Sequence, residues 1–549
     1  MIRTCLAAVL LGVLLGASPL TAQQPISVSL TLEQQVGQLF MSTIHGAQLP
    51  ESGRAFLQRW QPGALVIFNS NITTPAAMTQ LTNSYQQAIL DADGLPLLIA
   101  IDQEGGLVQQ LLDGFTKLPS PPVLTATNNP DLIRAMGRAV AEELRAVGIN
   151  MNLAPVADLE TNPDNPVIQR RSAGSDPAIV GRTLSAYVAG LQEGGVLSTL
   201  KHFPGHGAAN TDSHVALPVV SLSREQLMNN EIAAFAGALQ SDAIMMAHIW
   251  YPALEPEENR PASLSGAIIQ GVLRDELGYN GLVVTDAMDM DAVDYQYDYP
   301  QAAVMAVQAG VDLIAMGPGI GLDSQAAMMQ AVIDAVRSGE IPEAQIQESV
   351  RRIVEAKTRA GLFDWQPLDP ATTTERINRT AHETVLEQVF QAGVTIAYDR
   401  NDLLPVPPDR SVAVVYLATR NYTIPACEAH RSGIRWVAAT LTPTEQDIAL
   451  ARDAAGRVDT IIVFTENAYE NPQQQALVQA LPPDKTVVVA LSSLYDWWAF
   501  PDIAAYVLTY SPLPPAVPAA CAVLFGAVPA TGILPVTLSP DLPAGTNVS

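Results

Sequence analysis

The chain has 549 residues, 48% of them hydrophobic and 15% charged, which implies more than one packed core and argues against a disordered polymer. Asp and Glu number 55 against 29 Lys and Arg, a net charge of -26. That excess repels phosphate, so nucleic acids and anionic membrane surfaces are poor partners.

In chain order, the first element is a leader. Met1-Ile2-Arg3 supplies a positive charge, an apolar run extends from Cys5 to about Gly16, and small residues follow at Thr21-Ala22. This pattern predicts a signal peptide over residues 1–22 with cleavage near Ala22, and hence a secreted or cell-envelope protein. The apolar run is short for a lasting anchor and no later window has membrane length, so no stable membrane insertion is expected after cleavage.

Residues 28–365 alternate short apolar runs with longer helical patterns. The runs are Gln38–Thr43, Ala64–Phe68, Leu97–Ile101, Asn150–Pro155, Ser198–His202, Ala243–Ala247, Leu282–Thr285 and Leu313–Ala315. Most lack polar alternation, as expected of strands covered on both faces of a parallel sheet. Between them, Asp131–Val147, Ala178–Gly194 and Ser223–Gln240 carry apolar residues at helical spacing. An α/β chain with eight strands and helical crossovers predicts an N-terminal (β/α)8 TIM-type barrel, with a doubly wound open sheet as the competing arrangement. The Pro-containing stretch 366–375 reads as a linker. A helix over Ile377–Ala392 then leads a second series, Val412–Leu417, Thr460–Phe464, Thr486–Leu491 and Tyr506–Thr509, which predicts a smaller C-terminal α/β sandwich over 376–549. Cys5 leaves with the leader, and Cys427 and Cys521 can either form a disulfide or remain two thiols.

The ends of the apolar runs carry the chemistry. Asp102, Lys201-His202, His248 and Asp286 each close one of them, and in a parallel barrel those C-terminal ends converge on a single rim. The densest stretch is Lys201-His202-Phe203-Pro204-Gly205-His206-Gly207, continuing to Asp212-Ser213-His214. Asp212 and His214 are two apart, so an extended loop places them on one face, where the carboxylate orients the imidazole and raises its basicity. His202, His206, Asp212 and His214 could also be read as metal ligands, but the positive charge of Lys201 beside them opposes a cation. Asp286 in Val283-Val284-Thr285-Asp286 is placed either to cap a helix or to attack a sugar carbon. With the histidine cluster, a two-step displacement becomes the better reading: Asp286 attacks, and His214 protonates the leaving oxygen and then activates water.

These residues resemble glycoside hydrolase family 3, in its β-N-acetylglucosaminidase branch. The matching segments are Ile101-Asp102-Gln103-Glu104-Gly105-Gly106, Asn152 to Asp158, Asn165-Pro166-Val167-Ile168 with Arg171-Ser172, Lys201 to His214, Met246-Ala247-His248, Pro261 to Ser265 and Gly281 to Asp286. Leu524-Phe525-Gly526 and Gly532 to Val536 look like the family's second domain. The resemblance implies that Asp286 is the nucleophile, His214 the general acid/base and Asp212 its partner, with Asp102, Arg171, Lys201, His202 and His248 on the substrate. It implies removal of terminal β-linked N-acetylglucosamine with retention, no metal and no cofactor, and a carbohydrate as the partner. Peptidoglycan fragments and chitin-type sugars are the expected sources, and some relatives pass the sugar to phosphate instead of water. One departure stands out: where the family often carries Arg after Gly105-Gly106, this chain has Leu107 and Gln110. A β-glucosidase or β-xylosidase of the same fold would take its acid from the second domain, where Glu466 and Glu470 follow the Thr460–Phe464 run. A non-catalytic glycan-binding protein is the reading furthest from an enzyme. The oligomeric state is not legible from the sequence.

Overall fold

Eight short parallel strands close on themselves between Phe40 and Ala315 in the computed structural model, which describes residues 29–548. The signal-peptide reading of residues 1–22 lies outside the described residues. The strands are β1 (Phe40–Ser42), β2 (Ala64–Val66), β3 (Leu98–Ile101), β4 (Met151–Asn152), β5 (Leu197–Phe203), β6 (Ala243–Met246), β7 (Leu282–Thr285) and β8 (Ile314–Ala315). They pair in the order β8-β1-β2-β3-β4-β5-β6-β7, and a parallel bridge between Val284 and Leu313 joins β7 back to β8. The ring is therefore a barrel and not an open sheet. Every strand residue is buried, inward ones by the barrel interior and outward ones by helices. β4 is shorter than the apolar run from Asn150 suggests, because Pro155 has no N–H to give the ladder.

The helices start where their caps dictate. Asn129 and Asp176 accept backbone N–H groups at the heads of Pro130–Ala146 and Pro177–Glu193, each with Pro at its first position. The two helices cross closely at Gly137 and Gly190, where a Cβ on either would strike backbone of the other. The stretch expected as one helix over Ser223–Gln240 is two, Arg224–Asn229 and Glu231–Ala236, because Asn230 leaves helical geometry.

Residues after the barrel are pinned to it. Asn83 exchanges two hydrogen bonds with the backbone of Leu368, and Thr79 bonds Thr373 at 2.9 Å. The second sheet contains β9 (Thr395–Asp399), β10 (Val412–Leu417), β11 (Arg435–Ala439), β12 (Thr460–Thr465), β13 (Thr486–Ala490) and β14 (Ala505–Leu508). Its order is β9-β14-β13-β12-β10-β11, parallel except for the β9–β14 pair. The two edge strands, β9 and β11, are the ones the apolar pattern did not reveal; β11 alternates exposed and buried residues, so it lacks a continuous apolar run. Cys427 and Cys521 form a disulfide between helices Thr423–Glu428 and Ala516–Leu524, which settles the choice between bridge and thiols. The second domain grips the barrel through His382, whose ring nitrogens lie 2.9 and 3.0 Å from Glu143 and Glu142, and through Tyr495, whose hydroxyl donates to Glu160 at 2.7 Å. Among the described residues, no helix is long and apolar enough to cross a membrane.

Candidate active site

The loops after β3, β4, β5 and β7 enclose a pocket of about 450 Å³ on one rim of the barrel, the rim that the strand ends face. Asp102, Arg171, Lys201, His202, His214 and Asp286 all line it.

Its floor is an ion cluster. After β3 the chain turns through a short hairpin, Gln103–Gly105 with Val108–Gln109, whose first strand carries Glu104. Glu104 receives the Arg171 guanidinium in a fork at 2.8 and 2.9 Å and lies 2.7 Å from Lys201 Nζ. Lys201, near the end of β5, also donates to Asp102 Oδ1 at 2.5 Å. Burial pushes the Glu104 carboxyl upward, but the Lys201 and Arg171 cations outweigh it and hold it at about 2. Burial likewise opposes the charge on Lys201, and the carboxylates of Asp102 and Glu104 reverse that, raising its affinity for the proton.

Beside this cluster sits Asp158, in the loop after β4. It is fully buried and accepts the backbone N–H of His202 at 3.1 Å and of His206 at 2.6 Å. Its second oxygen lies 2.6 Å from His202 Nδ1. Burial again works against the carboxylate, and His202, His206 and these donors bring it below its ordinary value. His202 is thereby held with Nε2 4.0 Å from Asp286 Oδ2.

Asp286 leaves the end of β7 and caps the next peptide, accepting Ala287 N–H at 2.8 Å. Burial raises its carboxyl, and the imidazoles of His202 and His248, the Ala287 N–H and the Lys201 ammonium together overcome that, so it stays ionised. His248 does not line the pocket. It lies behind, with Nε2–H donating to the Ala287 carbonyl at 3.1 Å and Nδ1 accepting from the Ser263 hydroxyl at 2.7 Å. Burial lowers its basicity, and in that neutral form it braces the segment carrying Asp286.

The loop after β5 brings the other imidazole. Asp212 Oδ1 accepts the His214 backbone N–H at 2.8 Å and lies 2.7 Å from His214 Nδ1, leaving Nε2 free. Both side chains are solvent-exposed, 36% for Asp212 and 62% for His214. Ser213 between them points the other way, its hydroxyl 3.1 Å from His206 Nε2, while its carbonyl accepts Ala292 N–H from the segment after β7. The four groups that could be grouped as metal ligands thus divide: His202 bonds Asp158 and His206 meets Ser213 in the interior, while Asp212 and His214 pair with each other at the exposed side.

Two functional residues were not singled out from the sequence, Glu104 and Asp158. The signal was available: buried cations such as Lys201 and Arg171 require partner carboxylates, and both residues stand in the loops after apolar runs. In the second domain, Glu466 is engaged by Arg420 at 2.6 Å, and Glu470 lines a separate small cleft with Glu160 and Tyr495. Neither lines the barrel pocket.

Comparison with known proteins agrees with this geometry. Residues 31–356 match the glycosyl hydrolase family 3 N-terminal domain. The chain is 31% identical over 457 residues to a β-hexosaminidase A of Pseudoalteromonas piscicida, covering 78% of this chain and 74% of the relative. A β-hexosaminidase of Alkalilimnicola ehrlichii is 37% identical over 288 residues, 51% of this chain and 80% of the relative. A solved family 3 β-N-acetylglucosaminidase from Paenibacillus sp. str. FPU-7 superposes with a TM-score of 0.77 at 34% identity, covering 93% of this chain and 99% of that one.

Proposed function

The chain belongs to glycosyl hydrolase family 3, and from that premise we propose that it is a retaining, exo-acting β-N-acetylglucosaminidase with Asp286 as nucleophile and His214 as general acid/base. One observation carries the reading: a part-buried, ionised carboxylate and an aspartate-oriented imidazole, from the loops after two different strands, line the same pocket. In the first step an Asp286 oxygen bonds the anomeric carbon as the glycosidic C–O bond breaks, and the Nε2 proton of His214 goes to the departing oxygen. In the second, water gives a proton back to His214 and its oxygen replaces Asp286, so configuration is retained. Asp212 accepts the Nδ1–H of His214 in both of its roles, as the imidazolium that gives up the Nε2 proton in the first step and as the neutral ring that takes one back in the second. Asp102, Lys201, Arg171 and His202 hold the hydroxyl and N-acetyl groups, and His248 acts indirectly by fixing Ala287. Terminal N-acetylglucosamine of peptidoglycan fragments or chitin-type oligosaccharides is the substrate, met outside the cytoplasm as the signal pattern of residues 1–22 implies. A second-domain acid of the glucosidase kind is disfavoured by the positions of Glu466 and Glu470 outside the pocket.

The test is kinetic. Asp286→Asn should keep its fold and lose about 10⁴-fold or more in kcat/KM on the p-nitrophenyl N-acetyl-β-glucosaminide. His214→Ala should lose about 10²- to 10⁴-fold on oligosaccharides but little in the glycosylation step of a dinitrophenyl glycoside, whose leaving group needs no proton. Near-normal turnover by the folded Asp286 variant, or release of the α-anomer, overturns the assignment.

A further inference from the structure

We propose that the leaving-group side of this pocket selects neutral sugars and rejects anionic ones, so that chitin-type oligosaccharides are cleaved in preference to peptidoglycan disaccharides bearing a lactyl carboxylate. The proposal rests on the glycosidase reading above and adds the substrate class.

The charges that line the pocket carry it. Two lysine or arginine cations face it, Arg171 and Lys201, and both are already paired, Arg171 with Glu104 and Lys201 with Asp102 and Glu104. That cluster neutralises itself. What remains is negative: Asp286 and Asp289 also line the pocket, and Asp289 has only a backbone N–H, that of Gly319 at 2.7 Å, against it. The imidazole of His206, which also lines the pocket, offers no compensating charge, since burial drives it down to about 4. A substrate carboxylate entering the free enzyme therefore meets uncompensated like charge, while a neutral sugar does not.

Gln110 stands where the pocket opens into a neighbouring groove that also contains Thr73, Thr74, Leu112 and Asp113. The groove's lining holds no lysine or arginine. The buried Oε1 of Gln110 has no hydrogen-bond partner, an acceptor that a sugar hydroxyl or amide N–H would satisfy. Whichever way the amide is turned it adds no positive charge. The same groove is lined by the apolar side chains of Ile72, Pro75 and Leu112, the last of them 48% exposed. They offer a neutral sugar's apolar ring face something to lie against and offer an anion nothing.

Three substrates separate the outcomes: diacetylchitobiose, N-acetylglucosamine β-1,4-linked to N-acetylmuramic acid, and the p-nitrophenyl glycoside. The wild type should show kcat/KM about tenfold or more higher on the first than on the second, with the gap shrinking in molar salt. Gln110→Arg, and independently Asp289→Asn, should each narrow that ratio several-fold. Equal or faster cleavage of the muramic substrate alongside normal aryl-glycoside turnover overturns the selectivity alone. Failure to cleave the aryl glycoside removes the underlying activity and this inference with it.

Discussion

Two aspartate–imidazole pairs stand on the same rim, Asp158 with His202 and Asp212 with His214, and their hydrogen bonds are nearly the same length, 2.6 and 2.7 Å. In the first pair the side chains are 0 and 7% exposed, in the second 36 and 62%. Asp158 is also locked by two backbone donors and sits next to the ion cluster, whereas Asp212 takes one backbone donor, from its own turn. The same bond therefore does different work. The buried pair fixes an imidazole 4.0 Å from the Asp286 carboxylate, in surroundings where any lost partner is costly. The exposed pair leaves a nitrogen that can exchange protons with solvent on every turnover, as a residue that must both give and take a proton requires. A two-step displacement needs both, a rigid nucleophile side and a rechargeable acid side.

Swapping the lesion between the pairs gives the largest expected contrast. Asp158→Ala should cost about 3–5 kcal/mol of stability, because it leaves His202 and two backbone N–H groups unpaired in the interior. Asp212→Ala should change the unfolding free energy from a urea titration by no more than about 0.5 kcal/mol while lowering kcat/KM on oligosaccharides by about tenfold or more. Equal destabilisation by both would show that exposure does not separate them.

A smaller effect comes from pH. Glu104 and Asp158 are both ionised below their ordinary range in the folded protein. For a depressed carboxylate, the stabilisation is complete above its unfolded value and disappears as pH falls through the folded one. The buried cluster should therefore hold its stability near neutrality and lose it as the pH drops from about 4.5 towards 2, the span that Glu104 defines. Glu104→Gln should start less stable and flatten that part of the melting-temperature profile. A variant curve parallel to the wild type through that span would mean that other carboxylates set the acid limit.

The barrel was legible because its strands are apolar throughout and end in charge; β7 lies where the run Leu282–Thr285 places it. The site was legible where one loop holds the chemistry, as at Asp212 and His214, since a spacing of two needs no tertiary knowledge. Glu104 and Asp158 were harder, because their partners are 97 and 44 residues away along the chain, and only folding brings Arg171, Lys201 and His202 to them. His248 shows what position alone leaves out. Its place at the end of β6 suggested contact with substrate, but the side chain turns inward to Ser263 and Ala287. Position along a strand tells which rim a residue serves; which way the side chain turns depends on partners the pattern does not contain. Edge strand β11 escaped for a related reason, since its burial is set by one neighbour instead of two.

The link between the two pairs supplies the subtlest test. Ser213 lies between Asp212 and His214 in sequence, yet it is buried and its hydroxyl meets His206, which belongs to the Asp158 station. Burial keeps His206 neutral and its Nδ1 has no partner, so Nε2–H donates to Ser213 and anchors the exposed side of the site to the buried side. One neutral hydrogen bond contributes about 0.5–1.5 kcal/mol, so Ser213→Ala should cost a few-fold in kcat and about 1 kcal/mol in stability. The rate loss should appear on oligosaccharides and fade on dinitrophenyl glycosides, because only the former depend on where His214 delivers its proton. A loss equal on both substrates would place the effect of Ser213 on Asp286 instead, through the backbone bond from Ala292, and would make the two stations one rigid unit.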